Sequence, residues 1–366
     1  MSETADILVI GGGIAGIGAA ARLSPHTRVI VLEMEDALGR HATGRSAAIY
    51  IRNYGNATLR ALNVASEPVL KEPDGIAEET LLTPRGEMLI ASEDEIDAFE
   101  AYLKGADGME TLTPEEAVDL FPLLRREKIA AAAIERDAQD IDVDRLLQGF
   151  ARLARRNGAR LVTDALVQTA TRTGGVWRVE TPKGTFEAPV IVNAAGAWAD
   201  VLAETAGIAR VGLVPMRRSA AIVPPPSGID VTRWPLVASA SETWYAKPDA
   251  GKLMVSPADE DPAEPHDAWP DDMVLAEGLH RFEQAVTMPV TRVERSWAGL
   301  RSFVSDRTPV VGFAPDADGF FWLAGQGGYG VQTAPALSQL AADLCLGHTP
   351  KLPADIVAAL DPTRLS

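Results

Sequence analysis

Three glycines near the start of the chain, Gly11, Gly13 and Gly16, stand at GxGxxG spacing, and Glu33 follows seventeen residues after the last. Such a set can hold a pyrophosphate. The first glycine makes a tight turn, the second lets the backbone approach the phosphates, and the third lets a helix pack close to a strand. An acid at that distance can accept hydrogen bonds from an adenosine ribose. Chemistry by side chains alone has little to draw on. The histidines His26, His41, His266, His280 and His348 form no HxxxH, Cys345 is the single cysteine, and there is no CxxC and no GxSxG. We therefore expect no metal site, and a bound cofactor to carry the chemistry.

The elements that must position these residues can be read around them. Ile7 to Ile10 is a short apolar run of buried-strand length, an Ala-rich segment to Leu23 favours helix, and Arg28 to Leu32 is a second apolar strand. This strand–glycines–helix–strand–acid order is the context that the motif requires, though it does not separate NAD from FAD. The loop from Leu38 to Gly55 leads into a helix over 56–75, and Thr43 and Ser46 are expected to cap that helix or bind phosphate. Leu81 to Ser92 reads as a hairpin-like strand pair broken at Pro84–Gly86, and 94–126 as helical, with a start at Thr113–Pro114. Val143 to Asp164 gives an amphipathic helix and a strand, followed by a β-meander ending in TFEAPVIVNAAGAWAD. Small residues at Asn193–Gly196 let the backbone approach a second part of a dinucleotide, which favours a flavin over a nicotinamide. Strand-like pieces from Val211 to about Trp297 suggest a second, antiparallel sheet. The C-terminal part returns to two strands, a glycine loop (Gly325 to Gly330) and a helix whose free N–H groups face an anionic or electron-accepting group.

The 366 residues can bury a large core, and two domains are the natural expectation. The fold class is α/β (α+β overall), a Rossmann-like domain with an antiparallel-sheet substrate domain. The first is assigned 1–80, 141–210 and 302–366, and the second 81–140 and 211–301. A net charge of −17 argues against a nucleic-acid partner. No apolar run approaches the roughly 20 residues of a membrane span. An acidic N-terminus running straight into a strand points to no signal peptide, and the cysteine content suits a reducing cytoplasm.

The opening motif, VIVNAAGAWAD, WAGLRSF and GQGGYGVQTAPA occur in the order of the FAD-dependent D-amino acid oxidase superfamily, which includes glycine oxidase and sarcosine oxidase. HATGRSAA, PRGEM, MRRSA, WYAKPDAG and WAGLRSFV more closely resemble bacterial D-arginine dehydrogenase, from Ala5 almost to the C-terminus. The resemblance implies hydride transfer from the Cα of a D-amino acid to FAD N5. The imino acid then hydrolyses to a 2-oxo acid and ammonia, and an unidentified acceptor takes up the electrons. It implies that Arg218 and Arg301 bind the substrate carboxylate, a task suited to planar guanidinium groups. Tyr54, on a mobile lid, and Tyr245 would close over the substrate. The Gly328 carbonyl would accept from its amine, and Glu87 would pair with a cationic side chain. Ile49 and Ile51 fall at substrate-contacting positions, and Ile49 stands where the close relative has a histidine, a departure that bears on the amine's surroundings and the pH profile.

For FAD, the resemblance implies contacts from Gly11, Gly13, Ala15, Gly16, Glu33 and Met34, and from His41, Ala42, Thr43, Gly44, Arg45, Ser46, Ala47 and Ala48. Val167, Ala195, Gly196 and Trp198 would add to these, as would Gly327, Gly328, Tyr329, Gly330, Val331, Gln332 and Thr333. No residue of GQGGYGVQT can form a covalent flavin link, so FAD should be non-covalent. A glycine, sarcosine or cyclic-amine oxidase is the alternative within the superfamily. A non-catalytic flavin-binding protein is the alternative from another class, and an NAD-dependent dehydrogenase is the weakest reading.

Overall fold

The computed structural model describes residues 2–73 and 75–365. Its first sheet has six strands in the order Arg160–Val162, Val29–Leu32, Ile7–Ile10, Val190–Asn193, Phe320–Ala324 and Val310–Phe313. The first five are parallel and the last antiparallel. A parallel strand is covered on both faces, which explains unbroken apolar runs such as ILVI. Ile7 and Val9 face a core shared with the helices Ile14–Leu23, Val143–Arg156 and Gly330–Leu346. Leu8 and Ile10 face the opposite core, with Trp177 and Phe186. Those two belong to a four-stranded sheet of Glu3–Thr4, Gly184–Ala188, Val176–Thr181 and Thr169–Thr173. The segment TFEAPVIVN is thus divided at Pro189, its first strand in the meander and its second in the parallel sheet.

The other large sheet has nine strands. Arg295–Phe303 lies along Val214–Val223, followed by Lys252–Ser256, Tyr245–Asp249, Leu236–Ser239, Glu87–Ala91, Ala131–Glu135 and Met109–Leu112, with Asp261–Pro262 also on Val214–Val223. It is antiparallel as expected except at one place. Leu236–Ser239 runs parallel to Glu87–Ala91, which the long excursion between them allows. Leu81 to Ser92 does form two strands, but not a hairpin. Gly86, at φ +78°, redirects the chain. Leu82–Pro84 pairs with Gln139–Ile141 in a three-stranded sheet with Ile49–Tyr50, while Glu87–Ala91 joins the large sheet.

The region 94–126 is not helical throughout, because the strand Met109–Leu112 separates helices Ile96–Leu103 and Pro114–Leu120. The second of these starts on the expected capping box, with Thr113 Oγ1 accepting from Glu116 N at 3.2 Å and the Glu116 carboxylate accepting from Thr113 N at 2.8 Å. Among the described residues no helix is long and apolar enough to cross a membrane. We propose the two-domain division above from the membership of the larger sheets, with the three-stranded sheet and Arg295–Phe303 bridging its boundaries.

Candidate active site

The glycine motif builds one end of a long cavity. A Cβ at Gly11, which has φ +116°, would lie 2.3 Å from the Ala194 carbonyl oxygen, and one at Gly16 would lie 2.0 Å from the Gly11 oxygen. Only glycines let the strand, the turn and the helix approach this closely. Thr43 Oγ1 accepts from Ile14 N at 3.1 Å, so the residue expected to cap the following helix fixes the loop to the first helix instead. That following helix, Ala57–Lys71, is capped by Asn56, which accepts from Leu59 N at 3.0 Å. Glu33 accepts from Gly12 N, and from Glu35 N at 2.9 Å. Burial holds its carboxyl above the usual range despite those donors.

Gly11, Gly13, Ala15, Glu33, Met34, His41, Ala42, Thr43, Arg45, Ser46 and Ala47 line this cavity together. Val167, Ala195, Gly196, Trp198, Gly327, Gly328, Gly330 and Val331 complete the expected wall. His41 stacks at 4.7 Å on Trp198 and sits 2.7 Å from Glu35. The Arg45 guanidinium is spent on the carbonyls of Ala268 and Ala298 and on Asp267, so it ties its turn to the nine-stranded sheet.

Six expected cofactor residues do not line the cavity. Gly16 serves the packing just described. Gly44 lies against the Gly39 oxygen, and Ala48 takes a left-handed φ of +54°, its N–H held by Ser46 Oγ. The buried Tyr329 ring stacks on Tyr54 at 4.7 Å. Gln332 spends its amide on Ile51 and Asn63, and Thr333 donates to the Tyr329 carbonyl. Ala165, Leu166, Thr205, Ser302 and Gln326 do line the cavity and were not expected. Gln326 Nε2 and Ser302 Oγ are buried there without a partner. The one available sequence signal was Gln326 inside the glycine loop.

At the other end stand the expected arginines. Arg301 faces Met216 across the antiparallel ladder, and Arg218 is two residues beyond Met216, so both project from the same face as diagonal neighbours. They are not equivalent. Arg218 donates from Nε to the Asp259 carbonyl at 2.8 Å and from Nη2 to Glu260 at 2.9 Å. Glu260 also takes Arg307 Nη2 at 2.9 Å. The Arg301 side chain makes one long contact, 3.4 Å from Nη1 to the Tyr54 hydroxyl, and otherwise remains available. Tyr54, Tyr245, Glu242 and Glu260 hold its guanidinium above the ordinary value although burial acts to lower it. Burial, partly countered by Arg301, raises the Tyr54 hydroxyl, which therefore keeps its proton at neutral pH. Arg218, Arg301 and Tyr245 line the cavity; Tyr54 reaches it only through Arg301.

Three expected substrate contacts lie outside the cavity wall. Ile49 pairs with Asp140, and Ile51 is tied by Gln332 and Asn63. Glu87 is buried at 4% exposure in the nine-stranded sheet, its Oε2 without a partner. Burial, then the charges of Glu135 and Glu242, push its carboxyl up to about 8.

A glycine cradle against a helix N-terminus, a cavity continuing to the nine-stranded sheet, and an arginine pair on its wall define a dinucleotide-binding protein with room for a carboxylate ligand. The chain belongs to the DAO family of FAD dependent oxidoreductases, whose family model matches residues 6–344. It is 26% identical to mouse FAD-dependent oxidoreductase domain-containing protein 1 over 94% of this chain and 82% of that one. It is also 26% identical to glycine oxidase of Bacillus licheniformis, over 96% of this chain and 95% of that one. The solved glycine oxidase from Geobacillus kaustophilus superposes with a TM-score of 0.86, covering 99% of each chain at 24% identity, a likeness of fold. The cofactor is FAD, and the expectation of an FAD-dependent oxidoreductase is met.

Proposed function

We propose that this oxidoreductase deaminates D-amino acids, with a preference for basic or large side chains, giving an imino acid that water converts to a 2-oxo acid and ammonia. FAD supplies the two-electron acceptor, and an external acceptor completes turnover. Gly11, Gly13 and Glu33 would hold its adenosine diphosphate portion, and Ala47, Gly328 and Val331 would border the ring.

The observation that carries the reading is the unspent Arg301 guanidinium beside Tyr54 at the cavity wall. It can bind a carboxylate through two parallel N–H bonds, with Arg218 contributing charge and its remaining donors. The Tyr54 and Tyr245 hydroxyls can donate to the same carboxylate, and the Gly328 carbonyl can accept from the amine. Glu87, a buried carboxyl with a free oxygen, suits a cationic side chain. Ile49 lies outside the cavity wall and offers the amine no side-chain hydrogen bond, so orienting the amine falls to Gly328.

A second reading, oxidation of glycine or an N-methylated glycine, is favoured by the glycine oxidase relative and by the absence of Glu87 from the cavity wall. The Glu87→Leu variant separates the two. Loss of a charge-assisted pair costs about 1.5–3 kcal/mol, so kcat/KM for D-Arg and D-Lys should fall roughly 10- to 150-fold more than for D-Met and D-Phe. Equal losses would remove Glu87 from the substrate site.

A further inference from the structure

Glu135, at 3% exposure, is the ladder partner of Glu87 on the adjacent antiparallel strand. Such partners project from the same face with Cβ atoms about 4.5–5.5 Å apart, a spacing at which like charges repel. Glu135 is also bound to a different part of the molecule. Its Oε1 accepts from Arg52 N at 2.6 Å, and its Oε2 from Asn53 N at 3.2 Å and Asn53 Nδ2 at 2.6 Å. Asn53 in turn exchanges two 2.8 Å bonds with the Asp107 backbone. The next residue is Tyr54.

We propose that Glu135 is a positioning residue that couples the two ends of a bound substrate: it ties the Tyr54 segment over the carboxylate end, and as ladder neighbour of Glu87 it sets the charge that the side-chain end meets. The inference rests on the reading of Glu87 given above.

Burial raises the Glu135 carboxyl, but three N–H donors oppose that rise and favour its carboxylate form, whereas Glu87 Oε2 has no donor. Two buried carboxyls at this spacing do not both ionise without a cation, so the single proton of the pair resides on Glu87. The groups facing Glu87 agree with this. They are Glu135 on the neighbouring strand, Glu242 on the turn before Tyr245, and the unpartnered Tyr102 hydroxyl on helix Ile96–Leu103, with Arg60 beyond Tyr102. The cation beside Glu135 is Arg52, which is itself paired with Glu67 at 2.7 Å. When a guanidinium side chain enters, the Glu87 O–H bond breaks, its proton leaves to solvent, and a carboxylate–guanidinium pair forms. A neutral side chain leaves the proton in place.

The test is calorimetric binding to the FAD-loaded enzyme at pH 7 in two buffers of different ionisation enthalpy. The probes are 5-guanidinopentanoate and pentanoate, which lack the reacting amine. 5-Guanidinopentanoate should bind more tightly and release about one proton per site, and pentanoate none. Glu135→Gln should lower that release and weaken pentanoate about tenfold through the loosened Tyr54 segment. Asn53→Ala loosens the segment while keeping both carboxyls, so it should weaken pentanoate and leave proton release near one. Tighter binding of 5-guanidinopentanoate without proton release overturns the coupling and leaves the Glu87 reading standing. Equal binding of the two probes overturns the Glu87 reading and the coupling with it. Pentanoate affinity unchanged in both variants overturns the tether.

Discussion

The Arg301 guanidinium lies directly against the backbone of Gly328: a Cβ placed there would come 2.9 Å from Nη1 and 3.0 Å from Cζ. The glycine loop thus shapes the carboxylate site as well as the cofactor wall. Gly328→Ala should push the guanidinium aside and lower kcat/KM for the amino acid roughly 100-fold, since misplacing the reacting groups by about 1 Å costs on that order. FAD content should stay near that of the parent. Steady-state kinetics with a flavin absorbance ratio checks both.

The two arginines should respond differently to removal. Arg301→Met removes a side chain with one long protein contact, so substrate affinity should fall while Tm changes little. Arg218→Met leaves the half-buried Glu260 with Arg307 as its remaining hydrogen-bonded cation, and should lower Tm by several degrees as well as affinity. Thermal melts of the two variants, compared side by side, decide this.

Gly16→Ala would place a methyl group 2.0 Å from the Gly11 carbonyl oxygen. Because the clash is with backbone, the helix Ile14–Leu23 must shift off the strand. The purified variant should carry little FAD and melt lower, by an amount typical of overpacking, about 1–3 kcal/mol or more. Flavin-to-protein absorbance and a denaturant titration are the measurements.

Glu87 also makes a signed prediction about pH. Its carboxyl is raised from 4.5 to about 8, so between those values the folded chain holds a proton that the unfolded chain has lost. Its contribution therefore reduces stability as pH rises through that window and levels off above it. Glu87→Gln removes this contribution, and the Tm difference, variant minus parent, should widen from pH 5 to pH 8. A constant difference would contradict the burial argument.

Legibility followed the locality of the cause. The opening motif was readable because each glycine answers to a backbone approach that nearly adjacent elements impose, as Gly16 does to Gly11. The family motifs carried Arg218 and Arg301, yet their inequality depends on Glu260, Asp259 and Arg307, which only the fold assembles. Leu82–Pro84 and Glu87–Ala91 looked like a hairpin because the turn residues were right, but pairing was decided by Gln139–Ile141 and Ala131–Glu135. Met109–Leu112 was hidden by its charged surroundings. Glu135 carried no signal at all, since its importance lies in three donors about eighty residues away in sequence. Gln332 and Thr333 matched a cofactor motif, but packing turned their side chains to structural work.

The most direct measurement is anaerobic mixing of the FAD-loaded enzyme with paired D- and L-amino acids, glycine and N-methylglycine, following flavin bleaching at roughly 450 nm. D-Arg, D-Lys and D-Met should bleach the flavin, and their L-enantiomers should not. Bleaching by glycine or N-methylglycine with no response to any D-amino acid would contradict a D-amino acid dehydrogenase.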